Sequence, residues 1–265
     1  MTTSDDHVLA RDLAEQAGRL LLDLRADGFA DPGRLRDAGD RRSHEFLAAR
    51  LAECRPRDAL LSEEGTDDQA RLTADRVWIV DPLDGTREFG EEGRADWAVH
   101  VALWERGTQC ERGTRGERGE LTAGAVALPA QGRVLSTLDP PAGAASRSPE
   151  GKLRLVVSRS RASRLVKDVA EALGAELVPC GSAGAKAATV ITGETDAYLH
   201  SGGFYEWDTA APVAVARAAG FAASRVDGTD LRYNREDPLL PDILVCRPAI
   251  AELLLDAIRE ATHAH

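Results

Sequence analysis

The sequence predicts a mixed α/β protein with an α+β first half and an α/β second half. The 265 residues leave room for one large or two modest domains. Residues 139–151, rich in proline, glycine and alanine, separate an early part, in which two helices precede a run of strands, from a late part in which strands and helices alternate. We therefore predict a first domain over residues 1–150 and a second over residues 151–265.

The composition excludes several classes of protein. Apolar residues make up 43% of the chain and charged residues 29%, which is an ordinary globular balance. The net charge of −11 disfavours binding to a nucleic acid polymer. No apolar run approaches the ~18 residues of a membrane span, and no secretory signal is readable at the start. The four cysteines lie far apart without a C-x-x-C pair. We expect a cytoplasmic protein with reduced thiols.

Helices open the first half. Apolar residues from Leu9 to Leu24 recur every three or four positions and predict an amphipathic helix. Asp31-Pro32-Gly33 is predicted to end it, and a second helix is predicted from about Asp40. The glycine-rich, charged stretch 106–120 is predicted to be a solvated hairpin loop. Apolar runs predict five strands, at residues 59–61, 77–81, 97–104, 121–128 and 132–138.

The second half alternates regularly. Its strands are predicted at residues 153–158, 175–178, 196–199 and 243–246. Its helices are predicted at residues 163–173, 184–192, 209–219 and 249–261. Alternation of this kind favours parallel strands with helices packed on their faces.

The sharpest chemical signal is Asp81-Pro82-Leu83-Asp84-Gly85-Thr86, which follows a buried strand. Two carboxylates three residues apart across a tight turn can converge on one cation, and the Leu83 carbonyl can add a third oxygen. Oxygen ligands of this kind suit Mg²⁺. The alternative is a simple Asx turn after the strand. The Thr86 hydroxyl can orient a water beside such ligands, or cap a helix.

Two further acidic elements accompany this motif. Glu63 and Glu64 follow the short strand at 59–61, where glutamates are usually solvated. Asp208, in Trp207-Asp208-Thr209, precedes an apolar helix, where a helix N-cap is the ordinary role.

Taken together and in this order, the three elements resemble the Mg²⁺-dependent, lithium-sensitive phosphatases of the inositol monophosphatase superfamily. Asp84-Gly85-Thr86-Arg87-Glu88-Phe89 resembles the branch of CysQ-type 3′(2′),5′-bisphosphate nucleotidases. Similarity to that branch, and to its actinobacterial members, extends over residues 38–40, 61–64, 157–160, 181–187 and 231–234. The resemblance covers nearly the whole chain and implies a layered α/β/α/β/α sandwich.

The resemblance also implies a metal site between the two halves. A first Mg²⁺ would be held by Glu63, Asp81 and the Leu83 carbonyl. A second would be held by Asp81, Asp84 and Asp208, and a third, weaker ion would lie near Glu63. Asp208 would thus close the site from the second half.

The same resemblance assigns catalytic and substrate-binding roles. Thr86, with Asp40 and Glu63, would orient the attacking water and accept its proton. Asp37 is an alternative to Asp40, and either could instead be a helix N-cap. Gly85 and Thr86 would hold the phosphate through backbone N–H groups, beside Glu63, Asp84 and Asp208. Residues that could bind a second phosphate are Ser158, Arg159, Ser182, Lys186 and Arg232, although each arginine could simply be solvated.

The function that the resemblance implies is removal of the 3′-phosphate of 3′-phosphoadenosine 5′-phosphate, and of its 5′-phosphosulfate, in sulfur assimilation. Inositol 1-phosphate and fructose 1,6-bisphosphate are alternative substrates. A non-catalytic metal or nucleotide sensor is an alternative of another class. The partner is a small phosphorylated substrate, and a homodimer is the assembly common among such relatives.

Overall fold

The computed structural model describes residues 3–27, 31–107, 119–146, 151–160 and 162–263. It contains seven α-helices: α1 (Thr3–Ala26), α2 (Pro32–Cys54), α3 (Thr86–Phe89), α4 (Arg164–Ala172), α5 (Ala183–Ile191), α6 (Glu206–Ala218) and α7 (Ala251–His263). Its ten strands are β1 (Ala59–Ser62), β2 (Arg76–Asp84), β3 (Ala98–Arg106), β4 (Gly119–Leu128), β5 (Arg133–Ser136), β6 (Arg154–Ser158), β7 (Glu176–Cys180), β8 (Ala197–Tyr205), β9 (Ala222–Ser224) and β10 (Leu239–Cys246).

The strands form two five-stranded sheets. The first sheet has the order β1-β2-β3-β4-β5, and only its β1–β2 pair is parallel. The second has the order β7-β6-β8-β10-β9, in which β6 is parallel to both β7 and β8. The first sheet is thus mainly an antiparallel meander, as the α+β pattern predicts. The second sheet is mixed: the predicted parallel pairing holds for β6, β7 and β8, but β10 is antiparallel to both β8 and β9.

The helices and sheets stack in layers because each sheet buries its apolar faces against helices. Helices α1 and α2 cover one face of the first sheet with Leu13, Leu21, Leu47 and their neighbours. Helices α5 and α6 lie between the two sheets, in a core that is rich in alanine. Helices α4 and α7 cover the outer face of the second sheet. The order is therefore α/β/α/β/α, and the predicted mixed α/β class is confirmed.

Several predicted boundaries are wrong for local reasons. Asp31-Pro32-Gly33 begins a helix instead of only breaking one, because Asp31 caps the N–H of Gly33 and Pro32 occupies the first turn. Asp40 therefore lies inside α2, and neither it nor Asp37 is a helix N-cap. Strand β8 runs on to Tyr205, well past the predicted end at 199. The short elements α3 and β9 were not predicted as elements.

Some predictions fall on residues outside the described part. Most of the predicted hairpin loop lies at 108–118, and part of the linker lies at 147–150. Cys110 also lies outside it, while Cys54, Cys180 and Cys246 are free thiols. Among the described residues, no helix has the length and apolar character needed to cross a membrane.

Candidate functional site

Three acidic residues converge where the first sheet meets the helix layer between the two sheets. Asp81 and Asp84 lie at the end of β2, and Asp208 lies in the first turn of α6. One carboxylate oxygen of each lies within 4.8 Å of the others. They open into a cleft of about 770 Å³, whose lining also includes Glu63, Thr86, Arg159 and Lys186. The arrangement brings residues from both halves to one acidic site.

Asp81 is almost completely buried and makes one local bond. Its Oδ1 accepts the backbone N–H of Leu83 at 3.0 Å, which is the Asx-turn contact that the sequence allowed as an alternative. Burial raises the pKa of Asp81 well above its usual range, and the charges of Glu63, Asp84 and Asp208 raise it further. A nearby cation would strongly stabilise the ionised form of such a carboxylate. The Asx-turn contact uses only Oδ1, so it is compatible with a metal-binding role.

Asp84 lies in the opposite environment. Its Oδ1 accepts the N–H of Ala183 at 3.0 Å and its Oδ2 accepts the N–H of Gly184 at 2.6 Å, both in the first turn of α5. The Ser182 hydroxyl also donates to Oδ2. Although burial opposes ionisation, His100, Lys186 and Ser182 lower the pKa of Asp84 below its usual range. The first half thus contributes this carboxylate as a cap for a helix of the second half.

His100 is a site residue that the sequence analysis did not single out. It is fully buried in β3, with Nε2 3.1 Å from Asp84 Oδ2 and Nδ1 3.1 Å from the Trp207 carbonyl oxygen. Burial disfavours the charged ring, but the nearby Asp84 carboxylate outweighs it and raises the pKa of His100. The sequence feature that could have indicated His100 is that it is the single histidine within the apolar run 97–104.

Glu63 and Asp208 complete the acidic group. Loss of hydration in the cleft and the charge of Asp208 raise the pKa of Glu63 to about 7. Burial and the charge of Asp84 raise the pKa of Asp208 to about 6, although its Oδ2 accepts the N–H of Tyr205 at 2.6 Å. Asp208 is therefore not the N-cap of α6: it lies at the third helical position and accepts the N–H of Tyr205, which is the N-cap residue, and it also faces the other acids.

Thr86 and Asp40 meet at the edge of the cleft. The Thr86 hydroxyl lies 3.2 Å from Asp40 Oδ1 and 3.1 Å from the Leu83 carbonyl oxygen, and its single proton can be donated to one of them at a time. Burial raises the pKa of Asp40 to about 7, and the charge of Glu64 adds to this. Gly85, between Asp84 and Thr86, has φ of 86°, a conformation that favours glycine.

Four of the residues predicted to bind a second phosphate line the wall of the same cleft. Ser158, Arg159, Ser182 and Lys186 all line the cleft. Arg159 is held by Glu88 and Glu91 of the first half, at 2.7 and 2.9 Å. Lys186 is buried and donates to the carbonyl oxygens of Gly181 and Ser182. Of the two cations, Arg159 is the one that a ligand can reach.

Arg232 does not join this wall. It is exposed in the segment that precedes β10 and is not among the residues that line the cleft. The neighbouring Tyr233 is buried, and its hydroxyl donates to Thr209 at 3.2 Å. The sequence segment 231–234 is therefore a packed connection, and its motif gave no indication of which side chains face the cleft.

The chain is similar to known proteins in sequence and in fold. A model described as "Inositol monophosphatase family" matches residues 14–263. The chain is 52% identical to a 3′-phosphoadenosine 5′-phosphate phosphatase of Mycobacterium leprae, over 96% of this chain and 94% of that one. It is 27% identical to the 3′(2′),5′-bisphosphate nucleotidase CysQ of Escherichia coli K12, over 77% and 81% of the two chains. Among solved structures, CysQ of Bacteroides thetaiotaomicron superposes with a TM-score of 0.76 and 28% identity, covering 92% of this chain and 97% of that one.

Proposed function

The chain belongs to the inositol monophosphatase family, and we propose that it hydrolyses the 3′-phosphate of 3′-phosphoadenosine 5′-phosphate to give AMP and phosphate. The observation that carries the proposal is the convergence of Asp81, Asp84 and Asp208 from two halves of the chain. Similarity over 96% of the chain to a phosphatase of that name supports the substrate. The 5′-phosphosulfate, which would give adenylyl sulfate, is a second substrate of the same chemistry.

The donor set fits Mg²⁺. All of the proposed ligands are oxygens: the carboxylates of Glu63, Asp81, Asp84 and Asp208 and the carbonyl of Leu83. Burial raises the pKa of Glu63 and of Asp208, and neighbouring carboxylates raise both further, so bound cations would favour the ionised forms. Two or three Mg²⁺ ions would balance this charge. When bound, they would neutralise phosphoryl oxygens and lower the pKa of a bound water.

The residues of the chain itself then orient the reaction. We assign the Thr86 hydroxyl to hold the attacking water in line with the phosphorus. Asp40, whose Oδ1 lies 3.2 Å from the Thr86 hydroxyl, is assigned together with Glu63 to accept the proton of that water. Backbone N–H groups of Gly85 and Thr86 would hold the phosphoryl oxygens. Direct attack of water on phosphorus needs no covalent enzyme intermediate.

The second phosphate is assigned to Arg159. Its guanidinium faces the cleft from the second half and is already oriented by Glu88 and Glu91. A phosphate offers the same bidentate geometry as a carboxylate and would compete with Glu91, the more exposed of the two. Ser158, on the same wall, is assigned a supporting hydroxyl contact.

A substrate panel tests this proposal. Phosphate release would be measured with Mg²⁺ from 3′-phosphoadenosine 5′-phosphate, inositol 1-phosphate, fructose 1,6-bisphosphate and AMP, each with and without Li⁺. We expect kcat/KM for the bisphosphonucleotide to exceed the others at least about tenfold, or about 1.4 kcal/mol in transition-state binding, with inhibition by Li⁺. Equal or faster hydrolysis of a sugar phosphate would contradict the nucleotide assignment, and with it the proposed role in sulfur assimilation in the cytoplasm.

A further inference from the structure

We propose that Arg71, Asn234 and Glu206 form a positioning relay, which sets the separation between the Glu63 loop and Asp208 and so tunes metal affinity. The inference rests on the proposed function, because it concerns the same metal site. None of the three residues lines the cleft. Their role would be to position ligands and not to touch substrate.

The first link of the relay is Arg71, whose side chain is completely buried. Its Nε donates to Asp67 Oδ1 at 2.6 Å and one terminal nitrogen donates to Asp67 Oδ2 at 2.9 Å. The other terminal nitrogen donates to Asn234 Oδ1 at 2.9 Å. A buried guanidinium is costly unless its donors are satisfied, so this geometry is strongly enforced.

The second link is Asn234, which returns the contact. Its Nδ2 donates to the Arg71 carbonyl oxygen at 3.1 Å, so that two segments 163 residues apart are joined in both directions. Asn234 has φ of 58°, a conformation that asparagine tolerates better than most residues. From this bend, the backbone N–H groups of Asn234 and of the residue after it both donate to the next residue of the relay.

The third link is Glu206, which is almost completely buried at the start of α6. Its Oε2 accepts the N–H of Asn234 at 2.6 Å and its Oε1 accepts the N–H of Arg235 at 2.8 Å. The N–H of Glu206 itself donates to the Pro238 carbonyl oxygen at 2.9 Å. The first turn of α6 is thereby fixed to the segment that precedes β10.

The two ends of the relay lie next to the proposed metal ligands. Asp67 follows Glu63 by four residues in the same loop, and Asp208 follows Glu206 by two residues in the same helical turn. The relay therefore connects the loop of one ligand to the helix of another. Groups that do not touch the metal but hold its ligands in position typically contribute 10–100-fold to metal affinity.

The test uses two variants and a matched control. Asn234→Gly keeps the backbone conformation accessible and removes both side-chain contacts, while Arg71→Leu removes the central cation. Arg55→Leu is the control, because Arg55 makes two hydrogen bonds to the buried Asp6 beyond the end of α2. By the helical rise, that end lies about 21 Å along α2 from Asp40. Free Mn²⁺ would be counted by electron paramagnetic resonance, and the Mg²⁺ concentration for half-maximal phosphate release would be measured alongside.

We expect both relay variants to bind Mn²⁺ about 10–100-fold more weakly and to need correspondingly more Mg²⁺, with kcat at saturating Mg²⁺ within about threefold of wild type. Asn234→Asp, which keeps the acceptor for Arg71, should recover part of the affinity. The control should lose thermal stability without loss of metal affinity. Unchanged Mn²⁺ affinity in both relay variants, or an equal loss in Arg55→Leu, would overturn the inference. Absence of phosphate release by the wild type would count against the proposed function alone, since the relay is judged by Mn²⁺ binding.

Discussion

Asp81 and Asp84 lie three residues apart on one turn, yet their surroundings differ completely. Asp81 belongs to an acidic floor, which we define as Glu63, Asp81 and Asp208, where burial and, after it, neighbouring carboxylates raise the pKa values. Asp84 belongs to a helix corner, where the start of α5, the Ser182 hydroxyl and His100 surround a single carboxylate. In the helix corner, hydrogen-bond donors and His100 stabilise the ionised form of Asp84. In the acidic floor, the carboxylates lie beside one another.

This difference separates two tasks that one motif performs. The helix corner fastens the second half of the chain to the first, because Asp84 on β2 caps α5. The acidic floor holds buried carboxylates whose ionised forms a bound cation would stabilise. The same substitution, aspartate to asparagine, should therefore have opposite effects on the stability of the metal-free protein in the two regions.

The largest effect tests this contrast directly. Asp81→Asn and Asp84→Asn should each lower kcat/KM at least about 100-fold, because each removes a metal ligand and loss of a group behind a ligand already costs 10–100-fold. In EDTA, Asp81→Asn should raise the free energy of unfolding, since it removes a destabilising charge. Asp84→Asn should lower it by about 1–3 kcal/mol, since buried donors of α5 lose their acceptor. Urea denaturation of both variants measures this, and shifts of the same sign would break the comparison.

The next effect concerns the edge of the acidic floor. Thr86→Ala should lower kcat about 100-fold, within the range for loss of a group that assists proton transfer, while thermal stability changes little. Thr262→Ala is the matched control, because Thr262 also donates to a backbone carbonyl oxygen, that of Ile258 in α7, which covers the outer face of the second sheet. Single-turnover phosphate release would separate chemistry from binding. A Thr86→Ala enzyme as fast as the control would remove Thr86 from the catalytic group.

A pH series sharpens the comparison further. The pKa of Glu63 rises from an ordinary 4.5 to about 7 in the metal-free fold, so between these values the fold holds a proton that the unfolded chain has released. Stability from this source is present below pH 4.5 and is lost as pH rises through 7. In EDTA, Tm of the wild type should therefore fall relative to Glu63→Gln between pH 5 and 8. Parallel Tm curves would mean that Glu63 is not part of the floor.

The smallest effect concerns specificity. Arg159→Ala should lower kcat/KM for the bisphosphonucleotide about tenfold and leave hydrolysis of inositol 1-phosphate within about twofold, because only the former has a second phosphate to bind. Arg164→Ala, an exposed arginine on α4, is the control. An equal loss on both substrates would assign Arg159 to fastening the halves through Glu88 and Glu91.

Local pattern was sufficient for the acidic motif and for most of the elements, although not for all of their boundaries. The apolar run before Asp81 predicts β2, and regular alternation after residue 151 predicts the second sheet and its helices. The structure places Asp81, Asp84 and Asp208 together as the family resemblance implies. These features could be predicted because they depend on residues close in sequence or on a specific motif.

What escaped prediction depends on contacts between distant segments. His100 lies in an otherwise apolar strand, and only the fold brings it to Asp84. Asp84 was predicted as a ligand, but its role as a cap for α5 depends on a residue pair about 100 positions apart. Arg71 and Asn234 are 163 positions apart; Arg71 carries no local signal, and Asn234 lies in the segment 231–234, from which only Arg232 was named. Arg232 was named from a motif, although the fold turns that segment away from the cleft.

The most direct test of the central claim is a Mg²⁺ titration of phosphate release from 3′-phosphoadenosine 5′-phosphate, run on the wild type and on Asp208→Asn. If residues from both halves hold the metal, the wild type should be inactive in EDTA and recover with added Mg²⁺. Asp208→Asn should then need at least about 10–100-fold more Mg²⁺ or remain inactive. Undiminished activity of the wild type in EDTA, or the same Mg²⁺ dependence in both proteins, would contradict the account.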